Sequence, residues 1–68
     1  MKKLKQFVND NLERFSNLDD SETYELDAHY MDDDIVNYLK DNYRFDYKGI
    51  CVYYVKASDE VWVENMNA

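Results

Sequence analysis

Leu4, Phe7, Val8, Leu12 and Phe15 recur at spacings of three and four, with Lys5, Asn9, Asp10, Glu13 and Arg14 on the opposite side. That period predicts an amphipathic helix from about Lys2 to Ser16. Ser16 and Asn17 favour a turn, and Leu18-Asp19-Asp20-Ser21 reads as a polar connection. From Thr23 the period becomes two. Tyr24, Leu26 and Ala28 share one side and Glu25, Asp27 and His29 the other, which predicts a half-buried strand with an acidic outer face. Ile35, Val36, Leu39 and Tyr43 return to helical spacing. Asp32 suits an N-cap, the first-turn carboxylates suit the positive end of the helix dipole, and Lys40 and Arg44 suit its far end. A second helix is expected from about Asp33 to Arg44.

Phe45-Asp46-Tyr47-Lys48-Gly49 breaks that helix with the chain's only glycine. Ile50 to Val55 is β-branched and aromatic, apart from Cys51, as a central strand should be. Ala57-Ser58-Asp59-Glu60 turns the chain, and Val61-Trp62-Val63-Glu64 returns as a strand, making a hairpin. Asn65 to Ala68 is expected to fray. These elements predict an α+β fold, a single small domain over residues 1–68, in the order helix, strand, helix, strand, strand. The simplest arrangement is a three-stranded sheet with both helices on one face. The helix between the first two strands is long enough for a crossover, so a mixed sheet is possible.

At 68 residues the core is modest, because a domain this short buries only about 60% of the surface its unfolded chain exposes. Periodic apolar blocks and eleven aromatic residues nevertheless favour folding. The longest apolar run, Ile50 to Val55, is far short of a membrane span. Lys2, Lys3 and Lys5 are followed by polar residues rather than a signal-peptide core, and a lone cysteine cannot build a disulfide framework. Both features predict an intracellular, cytoplasmic protein. Cys51, in the most apolar segment, reads as a small buried hydrophobe.

Charge changes the picture more than size does. Fifteen acids face eight bases, and three of those bases lie within the first five residues. Most of the surface should repel DNA, RNA and anionic membranes and attract a basic partner. Chemistry is harder to place. With one His and one Cys there is no nucleophile–base–orienter set, so no catalytic residue is assigned. Gly49 alone makes no phosphate loop. Asp32, Asp33 and Asp34 lack the alternation and closing glutamate of a calcium loop, and neighbours at a helix start point apart. Neither a metal nor a cofactor is expected.

What remains is the run from Asp19 to Asp34, eight acids in sixteen residues with no Lys or Arg. The plain explanation is a solvated face that maintains solubility, yet solubility is usually achieved with mixed signs. Glu25 and Asp27 share a strand side about 6.7 Å apart, and Asp19, Asp20, Glu22, Asp32, Asp33 and Asp34 extend the negative zone. Such a line has the character of a row of phosphates and could enter a groove built for nucleic acid. Tyr30, Tyr47 and Trp62 are candidate exposed anchors, whereas Tyr24 and Tyr53 read as core.

In class the chain resembles the small acidic inhibitors of phages and other mobile elements, the anti-CRISPR and anti-restriction DNA mimics. The resemblance rests on size, charge, aromatic content, the lack of a catalytic constellation and the Asp19–Asp34 run. No diagnostic motif is shared, so no functional residue carries over. The resemblance implies a non-enzymatic inhibitor in the cytoplasm of a host bacterial cell, which blocks the Lys/Arg-rich groove of a defence nuclease. The expected binding residues are Asp19, Asp20, Glu22, Glu25, Asp27, Asp32, Asp33, Asp34, Tyr30 and Trp62, with no direct contact to nucleic acid or membrane. Two other readings fit the composition: a homodimer joined through an edge strand, either the first strand or Val61-Trp62-Val63, and an antitoxin-like regulatory partner of another basic protein.

Overall fold

The computed structural model describes residues 1–68. Helices α1 (Lys2–Asp10) and α2 (Leu12–Ser16) lead into strand β1 (Tyr24–Asp27) and a 3-10 turn (Ala28–Tyr30). Helix α3 (Asp33–Asp41) follows, then strands β2 (Phe45–Tyr47), β3 (Ile50–Val55) and β4 (Glu60–Asn65). The fold is α+β as expected, but the sheet has four strands rather than three, in the order β1-β4-β3-β2, and every pair is antiparallel. The mixed sheet is therefore not formed. From β1 at one edge the chain runs through α3 to β2 at the other, then returns by two hairpins to place β4 beside β1. Three helices, not two, precede or interrupt these strands.

Asparagine accounts for two of the differences. The expected single first helix breaks at Asn11, whose side-chain amide donates to Phe7 O at 2.9 Å, while its backbone leaves helical geometry at φ −119°. Asn42 ends α3 ahead of the expected Arg44 in the same way, its amide donating to Tyr38 O at 2.9 Å and its backbone extended. At Asn11 the side-chain amide takes the carbonyl four residues back while its backbone N–H turns to Val8 O, and at Asn42 side chain and backbone N–H both donate to Tyr38 O. The strand missed in sequence is β2. Its three residues alternate too briefly to read as a strand, and the Lys48-Gly49 turn that pairs it with β3 has φ of 52° and 76°. Positive φ at both positions suits a two-residue hairpin, and glycine occupies the second. The first strand is also shorter than expected, giving way after Asp27 to the 3-10 turn that holds Ala28 and His29.

One cluster joins the helices to one face of the sheet. Leu4, Val8, Phe15, Ile35, Val36 and Leu39 from the helices pack with Phe45, Ile50, Val52, Val61 and Val63 from the strands. The cross-strand pairs Val52–Val63 and Leu26–Val61 lie on this inner face, as does Tyr24, whose ring meets Phe15. Residues between them, including Trp62 and Tyr53, fall on the other face, over which no helix packs.

β4 lies inside the sheet, bonded on both sides, so Val61-Trp62-Val63 cannot join a second copy through its backbone; among the expected dimer edges only β1 stays open. At the carboxyl terminus β4 extends through Asn65, the first residue of the expected tail. Asn65 is buried and its amide donates to Ser16 O and Leu18 O, both at 3.0 Å. It thereby pairs carbonyls that the end of α2 leaves free. Met66 N–H donates to Gly49 O at 2.8 Å, and Asn67 lies so close to Gly49 that a Cβ there would collide with its side chain. Replacing Asn65 with Ala should cost about 1–3 kcal/mol, because two carbonyls lose their partner in a shielded site; urea denaturation measures it.

Asp32 caps α3 as expected, accepting from the backbone N–H of Asp34 and Ile35. Lys3 of α1 also reaches this cap, its ammonium 3.2 Å from Asp32 and 2.6 Å from Asp34. Lys3, and then the backbone N–H donors, hold the Asp32 carboxyl below the usual carboxylate range. A carboxyl whose folded value is depressed supports folding above its unfolded value of about 3.9 and loses that support as pH falls through the lower folded value. Lys3→Met should therefore lower the melting temperature at neutral pH, with the difference from the parent shrinking as pH falls below the ordinary carboxylate range. Carboxyl NMR should show Asp32 titrating higher in the variant.

Candidate functional site

The outer face of the sheet is assembled by strand alternation and register. Glu25, Trp62 and Tyr53 form its middle row, because Glu25 pairs with Trp62 and Trp62 with Tyr53. Asp27, Glu60 and Val55 form the row on one side, and Glu64, Cys51 and Asp46 the row on the other. Trp62 thus has carboxylates across the strand pair at Glu25, two residues away in each direction at Glu60 and Glu64, and on the diagonal at Asp27. The face follows from the local sequence: Glu60, Trp62 and Glu64 alternate with the buried Val61, Val63 and Asn65.

Hydrogen bonds fix this arrangement. The Trp62 indole N–H donates to Glu60 at 3.1 Å, and the Tyr53 hydroxyl donates to Glu64. The two rings meet edge to face with centroids 6.2 Å apart. Burial, and then the adjoining Glu64 carboxylate, raises the Tyr53 hydroxyl above its ordinary range and keeps it a donor. Each ring therefore holds a carboxylate at its rim. Glu25, Asp27, Glu60 and Glu64 make no ion pair with a base of the chain; its salt bridges are Lys3 to Asp32 and Asp34, His29 to Asp59, and Arg44 to Asp46. Asp27 and Glu60 face each other directly, a like-charge pairing that costs a sheet stability.

The acidic residues singled out in sequence divide among several places. Glu25 and Asp27 belong to this outer face with Trp62. Asp27 also accepts from His29 N–H at 2.9 Å and so caps the 3-10 turn. Asp32 and Asp34 are tied to Lys3, while Asp33 stays exposed beside them. Asp19 and Glu22 lie in the loop before β1 and close on each other's segment: Ser21 donates to Asp19 through its hydroxyl at 2.8 Å and its backbone at 3.0 Å, and Asp19 N–H donates to Glu22 at 3.0 Å. Asp20 is exposed in the same loop. The Asp19–Asp34 run is therefore not one continuous face.

Tyr30, the last residue of the 3-10 turn, is 90% exposed. Tyr47 is not an exposed anchor: it packs partly buried against the core with Phe45. Tyr53, read in sequence as core, lies on the outer face instead. The residues that sequence reasoning passed over are Tyr53, Glu60 and Glu64. The alternation of Glu60, Trp62 and Glu64 on one strand could have revealed two of them, and the hairpin register the third.

Cys51 is buried as expected, but on the outer face rather than within the helical core, flanked across the strands by Asp46 and Glu64. A depression of about 470 Å³ opens beside it, between Tyr43, Arg44, Tyr53 and Met66. Burial, and then the hydrogen bond to Asp46, push the thiol up to about 11. His29 lies 3.4 Å from Asp59 and is largely exposed. No group of three or more His, Cys, Asp or Glu side chains converges to hold a metal ion, and no helix is long and apolar enough to cross a membrane.

Comparison with protein-family profiles, with curated proteins and with solved structures finds no match for this chain.

At about pH 8 on the order of one Cys51 in a thousand carries the reactive thiolate. A colourless disulfide reagent that reports thiols should therefore modify the folded protein far more slowly than the urea-unfolded chain, and equal rates would contradict the placement of Cys51.

Proposed function

We propose that this protein is a non-enzymatic binding protein that docks the outer face of its sheet into a Lys/Arg-rich groove of another protein, a groove that otherwise holds nucleic acid. The partner class that fits is a nucleic-acid-binding protein such as a host defence nuclease, and the expected effect is inhibition by occupying the groove. The observation that carries this reading is the cluster of Glu25, Asp27, Glu60 and Glu64 around Trp62, none of them paired with a base of the chain.

Charge of one sign on a rigid face steers a basic partner into contact and releases ions from both surfaces, as phosphates would. Successive outward residues of a strand stand about 6.7 Å apart, close to the spacing of phosphates along a nucleic-acid strand. A half-buried tryptophan amid those charges supplies the apolar centre that interfaces concentrate energy on. The contacts proposed here move from the whole Asp19–Asp34 run to the part of it that shares a face with Trp62. Asp32 and Asp34 serve the helix cap and Lys3, so reversing them would disturb the fold as well as the surface.

The test is capture from bacterial lysate on the immobilised protein, with and without competing duplex DNA. The expected result is recovery of a nucleic-acid-binding protein that DNA displaces, and its loss when Glu25→Lys and Glu60→Lys are combined, each reversal weakening binding by more than about tenfold. Recovery of the protein alone, or capture that DNA and both reversals leave unchanged, overturns the reading.

A further inference from the structure

We infer that the Trp62–Tyr53 platform is an arginine-binding site, built to stack a guanidinium group of the protein partner between carboxylates. This inference rests on the reading that the outer face meets a basic protein and adds which basic side chain it selects.

The chain's own bases provide the argument. Lys5 and Lys48 approach the Tyr47 ring at 5.7 and 5.4 Å, Arg14 approaches Tyr24 at 5.5 Å, and Lys40 approaches Tyr54 at 5.2 Å. Tyr24, Tyr47 and Tyr54 all belong to the inner face or its margin, by register with Val63, Ile50 and Val61. Lys3 is held by Asp32 and Asp34, and Arg44 by Asp46. Five of the eight bases are thus engaged away from Trp62 and Tyr53, Arg44 is tied to Asp46 at the margin of the depression that Tyr53 also lines, and neither ring receives a cation. Both have carboxylates hydrogen-bonded at their edges, as Tyr54 has with Asp59, but only on the outer face is no cation of the chain laid over the ring.

Tryptophan presents the strongest face to a cation, and an arginine stacks on it while its fork of N–H donors remains free in the ring plane. Here those donors would find Glu60 at the indole edge, Glu25 across the strand pair and Glu64 beside Tyr53. The indole N–H donates to Glu60 and the Tyr53 hydroxyl to Glu64, so both carboxylates are held in place, and their remaining lone pairs can accept from the guanidinium, which has donors only. A lysine ammonium would gain the charge attraction but neither the stacking nor the two-pronged hydrogen bonding.

Trp62 is the only tryptophan, so its fluorescence reports the site directly. Short homopeptides of arginine and of lysine, matched in length, are titrated into the full chain at low salt. The arginine peptide should bind roughly three- to tenfold more tightly and perturb both the emission and the indole N–H resonance of Trp62. Trp62→Leu should erase the preference while keeping the charge-driven affinity that both peptides share, followed by backbone NMR shifts of Glu25 and Glu64. Trp62→Tyr, which preserves a stacking ring, should restore part of the preference and guards against a folding defect in the leucine variant. Equal binding of the two peptides with an unchanged Trp62 signal overturns the arginine assignment but leaves the acidic face as a general basic-surface binder. Failure of both peptides to bind removes that reading and the arginine site together.

Discussion

Because a short chain has apolar helical surface enough for only one layer, the sheet of this protein is covered on a single side, and the composition of the other side follows from that. α1, α2 and α3 contribute Leu4, Val8, Phe15, Ile35, Val36 and Leu39 to the same cluster as the inward residues of the strands. An antiparallel sheet tolerates the imbalance, since its strands present alternate residues to core and water. The outer face then has to be stable without a second core. Trp62 and Tyr53 shield each other, Cys51 is enclosed by its cross-strand neighbours, and the remaining positions are mostly carboxylates.

The same one-sidedness organises the charge. Bases concentrate where the helices and inner tyrosines are, bridging Lys3 to the cap of α3 and laying Arg14, Lys40 and Lys48 over aromatic rings. Those contacts compensate charge around the helical layer; on the outer face only Asp46 is compensated, by Arg44, and Glu25, Asp27, Glu60 and Glu64 are left without a base. Asp27 opposite Glu60 is a local cost that packing elsewhere must offset. Residues arranged at the expense of stability are where binding is most reasonably sought, since a fold optimised for itself would have placed a lysine across from one of them.

Short amide side chains shape the architecture to a degree out of proportion to their size. Asn11 and Asn42 sit where helices end and donate their side-chain amides to the carbonyl four residues behind them, and Asn65 ties the last strand to the end of α2. The first two set where α2 and β2 begin, and the third secures the edge of the core against the end of the chain. Through these joints the position of β4, and with it Trp62, is held between β1 and β3.

Periodicity alone determined the amphipathic first segment, the capped third helix with Asp32 at its start, the β3–β4 hairpin and the acid-rich character of β1, because each depends on interactions within a few residues. The outward alternation of Glu25 and Asp27 was legible for the same reason. Tertiary structure alone decided that β4 runs in the interior beside β1, that Phe45-Asp46-Tyr47 is a strand, and that Lys3 pairs with two of the clustered aspartates. It also decided which acids share a face with Trp62. Strand order and ion pairing join residues distant along the chain, as Glu25 and Trp62 are, and the local pattern of a sequence specifies which way a side chain points but not what it meets there.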